Sequence, residues 1–152
     1  RGGASALRRP LTATARAVDL LSRRDHARAD LRRKLLAKDH EPEEVDEAIR
    51  RVEELGLHDE VRSCQGLARF YATHRGYGPI KVRRRLREMG FAQDLVNRSV
   101  DGLTVDWDAS CRNVAEKKAH KGRAAVMRFL VSRGFPPSIA RRTAHEVAEW
   151  DP

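Results

Sequence analysis

The sequence predicts an all-α protein: three tandem three-helix repeats forming an elongated, curved array. Three observations carry this expectation. Three stretches align without gaps, "DLRRKLLAKDHEPEEVDEAIRRV" from Asp30, "KVRRRLREMGFAQDLVNRSVDGL" from Lys81 and "AVMRFLVSRGFPPSIARRTAHEV" from Ala125, at offsets of 51 and 44 residues. Within each copy the apolar residues recur at helical spacing. Strand signals are missing: two-residue alternation does not occur and β-branched residues never cluster. Composition agrees, with 40% hydrophobic residues, 35% charged and only eight aromatics in 152 residues. Such a chain suits thin core layers in which each helix buries one face.

The elements follow in order. Repeat one spans 12–55, repeat two 56–103 and repeat three 104–150, with 1–11 expected to be flexible. Each opens with one helical stretch: "TATARAVDLLSRR" (12–24), "EVRSCQGLARFYATHR" (60–75) and "DWDASCRNVAEKKAH" (106–120). Their expected buried sets are Ala17, Leu20 and Leu21; Leu67, Phe70 and Tyr71; and Trp107, Cys111 and Val114. The aligned pairs of helices come next. Leu31, Val82 and Val126 correspond, as do Leu35, Leu86 and Leu130. In the third helices the matches are Val45, Val96 and Ala140; Ile49, Val100 and Ala144; and Val52, Leu103 and Val147. The turns read Gly90-Phe91 and Gly134-Phe135, but Asp39-His40 in the first copy. Glycine after a helix tolerates the left-handed conformation that ends it. The following helices start at Glu41-Pro42, Ala92-Gln93 and Pro136-Pro137, where a first-turn proline loses no hydrogen bond. Trp107 and Trp150 are expected to anchor helices.

Net charge is +9 and the pI near 10.4, which implies acidic partners. The charge is uneven. Residues 39–60 hold ten acids (Asp39, Glu41, Glu43, Glu44, Asp46, Glu47, Glu53, Glu54, Asp59, Glu60) against Arg50 and Arg51, so the remainder is +17. Part of that block complements helix N-termini; the rest faces a partner or water. Two distant cysteines, Cys64 and Cys111, form no disulfide framework or metal motif. They point to buried packing and to a reducing, cytoplasmic setting. No apolar run is long enough for a membrane span. The chain begins at Arg1 without methionine, which suggests a truncated or processed N-terminus and leaves a removed targeting segment open.

Catalysis finds no support in the residues. The six histidines (His26, His40, His58, His74, His120, His145) are dispersed, without an i,i+4 pair or metal spacing. His58-Asp59 sits where a junction turn is expected, and Asp59 is a natural N-cap. No phosphate-binding glycine loop joins a strand to a helix. The expectation is no catalytic residue, no metal and no cofactor.

Binding candidates are basic. In "HRGYGPIKVRRRLREMGF" (74–91), Lys81 to Arg87 is a helix whose apolar stripe is Val82, Leu86 and Met89. Measured from Val82, Arg83, Arg84 and Arg87 fall between about 100° and 200°, opposite that stripe. Only Glu88 lies within helical pairing distance, so the arginines exceed what folding needs. The plain alternative is a solvated face. Gly76-Tyr77-Gly78-Pro79 reads first as a turn into the helix. Beside Arg75, Tyr77 can also stack on a base or enter a protein pocket. Lys117, Lys118, Lys121 and Arg123 form a second cluster at a helix end, where lysines also offset the helix dipole. Arg28, Arg32 and Arg33, with Arg141 and Arg142, form a secondary basic surface at related repeat positions.

The segments "LLSRRDHARADLRRKLLAK" (20–38), "EELGLHDE" (53–60), "RGYGPIKVRRRLREMGF" (75–91) and "RFLVSRGFPPSIARR" (128–142) resemble the RecX family, bacterial regulators of the RecA recombinase. The resemblance spans roughly residues 12–149. It implies tandem three-helix repeats and binding in the groove of the RecA–DNA filament, with inhibition of strand exchange, ATP hydrolysis and co-protease activity. It thereby implies a role in DNA repair and the SOS response, without enzymatic activity or cofactor. One departure stands out: the family's Phe-Ala pair after the junction Asp is replaced here by Ser63, Cys64 and Gln65, which bears on local packing. A second reading is a direct, largely nonspecific binder of single- or double-stranded DNA built from helix-turn-helix-like units, although no unit sets Asn or Gln for base readout beside its arginines. An anionic-membrane binder is a weaker third reading, since the apolar faces are short and interrupted by arginine.

Overall fold

The computed structural model describes residues 10–148, so Trp150 and nearly all of 1–11 lie outside the described residues. Nine α-helices and one 3-10 turn form, and no strand occurs among the described residues. The helices are α1 (Ala13–Arg23), α2 (Arg28–Ala37), α3 (Pro42–Glu54), α4 (Glu60–Thr73), α5 (Pro79–Glu88), α6 (Gln93–Asp101), α7 (Trp107–Glu116), α8 (Arg123–Ser132) and α9 (Pro137–Val147). The all-α expectation holds. By internal contact the chain divides into two units, residues 1–63 and 64–152, with the division inside α4.

Local chemistry sets the boundaries. Thr12 caps α1, its Oγ1 accepting from the Ala15 N–H at 3.1 Å. The Asp59 and Asp106 carboxylates do the same for α4 and α7, each at 3.1 Å from the third amide on. Pro42, Pro79 and Pro137 occupy first-turn positions. At the aligned turns, Asp39, Gly90 and Gly134 all have positive φ, at 65°, 100° and 92°. The first copy therefore keeps the left-handed turn although it lacks glycine; Asp is among the residues that tolerate it. At the other two turns the Phe91 and Phe135 amides reach back to Leu86 and Leu130 carbonyls at 3.3 and 3.1 Å, closing the helix ends.

The aligned apolar positions are the core. Leu31, Leu35, Val45 and Val52 are fully buried in unit one, packed with Ala17 and Ile49. Val82, Leu86 and Val96 are fully buried in unit two, as are Val126, Leu130, Phe135 and Ala140. Cys64 and Cys111 are buried too, and burial pushes the Cys111 thiol up. Trp107 packs half-buried against the cluster that holds Cys111, Val126, Leu130 and Phe135.

Three expectations need correction. Phe70 is exposed rather than buried, because α4 turns Cys64, Ala68, Tyr71 and Ala72 inward. Phe70 lies about 100° from Tyr71 around the helix, outside that stripe. Leu103 and Val147 are only half-buried, unlike their counterpart Val52. The stretch 106–120 is not one helix: α7 ends at Glu116, and a 3-10 turn at Ala119–Lys121 precedes Gly122 at φ 87°.

Candidate functional site

The site grows from α5. Val82 and Leu86 face the core, which leaves Arg84 and Arg87 pointing outward, exposed and without an ion pair among the described residues. Arg83 stands at the stripe's edge and is half-buried. Its Nη2 reaches Asp101 Oδ1 at 2.5 Å, a partner supplied by α6. Arg85 pairs with Glu88 at 3.5 Å. The three arginines singled out by sequence thus separate into one structural and two outward-facing groups. Asp101 was missed because it lies 18 residues from Arg83, beyond any local pairing rule.

The turn before α5 is gripped by the end of α8. Gly78 N–H donates to the Arg133 carbonyl at 2.8 Å, and Ile80 N–H to the Gly134 carbonyl at 3.0 Å. The approach leaves no room for side chains. A Cβ on Gly78 would sit 2.4 Å from Gly134 carbonyl atoms, and one on Gly134 would sit 2.3 Å from Lys81 Cβ. First-turn amides that ordinarily lack partners are thereby satisfied by carbonyls from another repeat.

This junction gathers rings and cations. Tyr77 stacks on Tyr71 with ring centres 5.7 Å apart and planes 5° from parallel. Lys81 Nζ and the Arg133 guanidinium lie over the Tyr77 ring at 4.3 and 4.8 Å. The Arg133 guanidinium also lies 5.9 Å from the Phe129 ring, and its Nη2 donates to the Arg75 carbonyl. Lys118 Nζ sits 5.5 Å from Phe129, and the Arg75 guanidinium 5.7 Å from Phe70. A depression of about 390 Å³ opens here, with Arg75, Lys117, Lys118 and Arg133 among its lining. The structure brings the turn cluster and the 117–118 cluster together. Arg133, which joins them, was not singled out in the sequence. It aligns with Met89 and Lys38 as a residue ending a helix, where a basic side chain reads as a dipole partner. Its contact to Arg75 spans 58 residues.

The remaining candidates disperse. Lys121 is exposed in the 3-10 turn, while Arg123 is half-buried with an Nε lacking a hydrogen-bond partner. Arg141 is exposed, and Arg142 pairs with Asp108. In unit one, Arg28 meets Glu53 at 2.5 Å, Arg32 meets Asp46 at 2.9 Å, and Arg33 pairs with Asp30. The Arg28 guanidinium is held above its ordinary range, first by the Glu53 hydrogen bond. Burial pushes Asp30 up, but Arg33 and Lys34 outweigh it and hold the carboxyl below its usual range. Part of the acidic block is thus consumed at home. Glu53 and Asp46 take α2 arginines, Glu47 and Glu54 take Arg50 and Arg51, and Glu60 accepts from the Arg28 amide at 2.8 Å. His26 is buried between the Arg24 carbonyl at 3.0 Å and Lys34 Nζ at 2.9 Å; burial and Lys34 lower its pKa. No group of three or more His, Cys, Asp and Glu side chains suited to a metal occurs among the described residues.

Known proteins resemble this chain in sequence and in architecture. A family model described as RecX, first three-helix domain, matches residues 13–51. The regulatory protein RecX of Actinobacillus pleuropneumoniae serotype 5b is 35% identical over 121 residues, 76% of this chain and 80% of that one. The chain belongs to the RecX family. A second member, from Pseudomonas putida strain W619, is 34% identical over 140 residues and covers 88% of this chain and 89% of its own. In three dimensions the chain is similar to RecX from Lactobacillus salivarius, with a TM-score of 0.74 at 19% identity over 89% of this chain and 94% of that one. A second RecX crystal structure gives 0.75 at 20% identity, over 88% and 71%. At that identity these two support the fold alone, which they share with the RecX-family sequence assignment. The relatives are named regulatory proteins.

Proposed function

We propose that this RecX-family chain is a non-enzymatic regulator that docks on the RecA–DNA filament and inhibits its recombinase, ATPase and co-protease activities. The reading includes action in the cytoplasm, on DNA repair and the SOS response. Its docking modules are the three repeats at 12–55, 56–103 and 104–150. One observation carries the choice of contact face: Arg84 and Arg87 are exposed, and neither has a carboxylate partner among the described residues. Paired arginines are already neutralised, whereas unpaired ones repel each other until an acidic partner arrives. No described helix is long and apolar enough to cross a membrane, which adds nothing to a membrane reading.

The test is inhibition of RecA ATPase on single-stranded DNA by an Arg84→Glu/Arg87→Glu variant. We expect inhibitory potency to fall about tenfold or more, as for losing two charge-assisted contacts, with helicity unchanged. Wild-type potency in that variant would remove α5 from the contact. Arg83 is left intact, because a glutamate there would face Asp101.

A second reading, direct nonspecific DNA binding, is favoured by the cation-lined depression in residues 64–152. It predicts binding to bare DNA that weakens steeply with salt. Binding that needs RecA on the strand and survives salt favours the filament instead.

A further inference from the structure

The depression between α4, α7 and α8 has a chemistry that a docking face alone does not require. Its lining includes Arg75, Lys117, Lys118 and Arg133 together with His74, and no carboxylate. Asn113 and Ser110 add neutral hydrogen-bonding groups. None of the four cations has an ion pair among the described residues. Unpaired cations occur elsewhere in the chain, Arg84 and Arg87 among them, but here four converge on one depression whose lining holds no carboxylate.

The aromatic rings decide which part of a ligand is met. A nucleobase needs an open ring face to stack on. Tyr77 already stacks on Tyr71 and carries Lys81 and Arg133. Phe70 is stacked by His74 at 5.2 Å and approached by Arg75. Phe129 is approached by Lys118 and Arg133. These rings hold cations in place, which limits the ordering needed when an anion binds. Arg133 is fixed further by its bond to the Arg75 carbonyl, and its Nε is buried without a hydrogen-bond partner.

We propose that this depression is a seat for a backbone phosphate of nucleic acid, one that responds to the charge and ignores the base. Four cations exceed what one carboxylate neutralises, whereas a strand places further charges on either side of the seated phosphate. The inference rests on reading residues 64–152 as the contact unit, and its test omits the recombinase so that the two can fail separately.

The experiment compares binding of a labelled oligothymidylate of about 12 nucleotides, a size suited to such grooves, with an abasic strand of equal length and charge. Fluorescence anisotropy across salt concentration is the readout. The abasic strand should bind within about twofold of the oligothymidylate. Lys117→Glu/Lys118→Glu should weaken both about tenfold or more and flatten the salt dependence. Because Lys118 packs on Phe129, the exposed Lys117→Glu alone serves as the second variant, with about a threefold loss and helicity unchanged. A tenfold weaker abasic strand would overturn the proposal, since bases would then be read. Unaltered affinity in both variants would overturn it too, as would a labelled oligoglutamate peptide that binds the wild type in preference to either strand. Intact strand binding without any effect on RecA would overturn the filament reading and leave the seat standing.

Discussion

Helices α2 and α5 occupy the same place in successive repeats and carry similar arginines, yet they end in opposite electrostatic states. Arg32 and Arg33 align with Arg83 and Arg84. In α2 both are paired, to Asp46 and Asp30. The residues aligned with those acids are Asn97 and Lys81, so α5 has no counterpart for either pair. Arg83 recovers a partner from Asp101, whose aligned residue in the first copy is Arg50; Arg84 recovers none among the described residues. Residues 1–63 hold fourteen Lys and Arg against thirteen Asp and Glu, and residues 64–152 hold seventeen against nine. Almost all of the net charge therefore belongs to the second unit. Repeat register conserves which residues make core, but the acids beside each arginine, on its own helix (Asp30) or on the next (Asp46, Asp101), decide which charges remain available.

The turns offer the sharpest way to break this comparison. Gly134→Ala should destabilise residues 64–152 by about 3 kcal/mol, combining left-handed strain with a backbone collision. Its Cβ would meet Lys81 Cβ at 2.3 Å at a φ of 92°. Asp39→Gly, at the aligned turn, should change stability by no more than about 0.5 kcal/mol, because relief at φ 65° is offset by unfolded-chain entropy. Urea denaturation followed by circular dichroism measures both; equal effects would mean that the Gly78–Gly134 approach is not a tight junction.

Charge transfer between the copies comes next. Asp30→Asn/Asp46→Asn should release Arg33 and Arg32 and give residues 1–63 the unpaired character of α5. We expect a stability loss of about 1 kcal/mol, most of it from the buried Asp30, and a gain of about threefold in oligonucleotide affinity at low salt. Unchanged affinity would show that free arginines alone do not make a binding face.

The smallest effect concerns pH. His26 has its pKa lowered in the fold, so the unfolded chain binds the extra proton first. The favourable contribution of neutral His26 is present above the ordinary imidazole range and is lost as pH falls below about 6.5. Asp30, held low, adds its own loss only in more acid solution. Thermal unfolding at pH 7.5 and 5.5 should show a decrease of about 2 °C that His26→Gln abolishes. An equal decrease in the variant would assign it to other groups.

The sequence by itself determined the helices, their turns and the core layers. These depend on residues three to five apart, and the Leu31, Leu35 pair and the Val45, Ile49, Val52 set repeat on that spacing in every copy. It also placed the basic excess near α5 and the 117–123 segment. Tertiary structure decided which of those charges are free. The Arg83–Asp101 pair spans 18 residues and the Arg133–Arg75 contact 58. It also turned Tyr77 from a candidate stacking platform into a strut already stacked on Tyr71 and carrying Lys81 and Arg133. The physical reason is range: helix formation is written in neighbouring residues, whereas charge pairing and ring packing are written in distances that only folding creates.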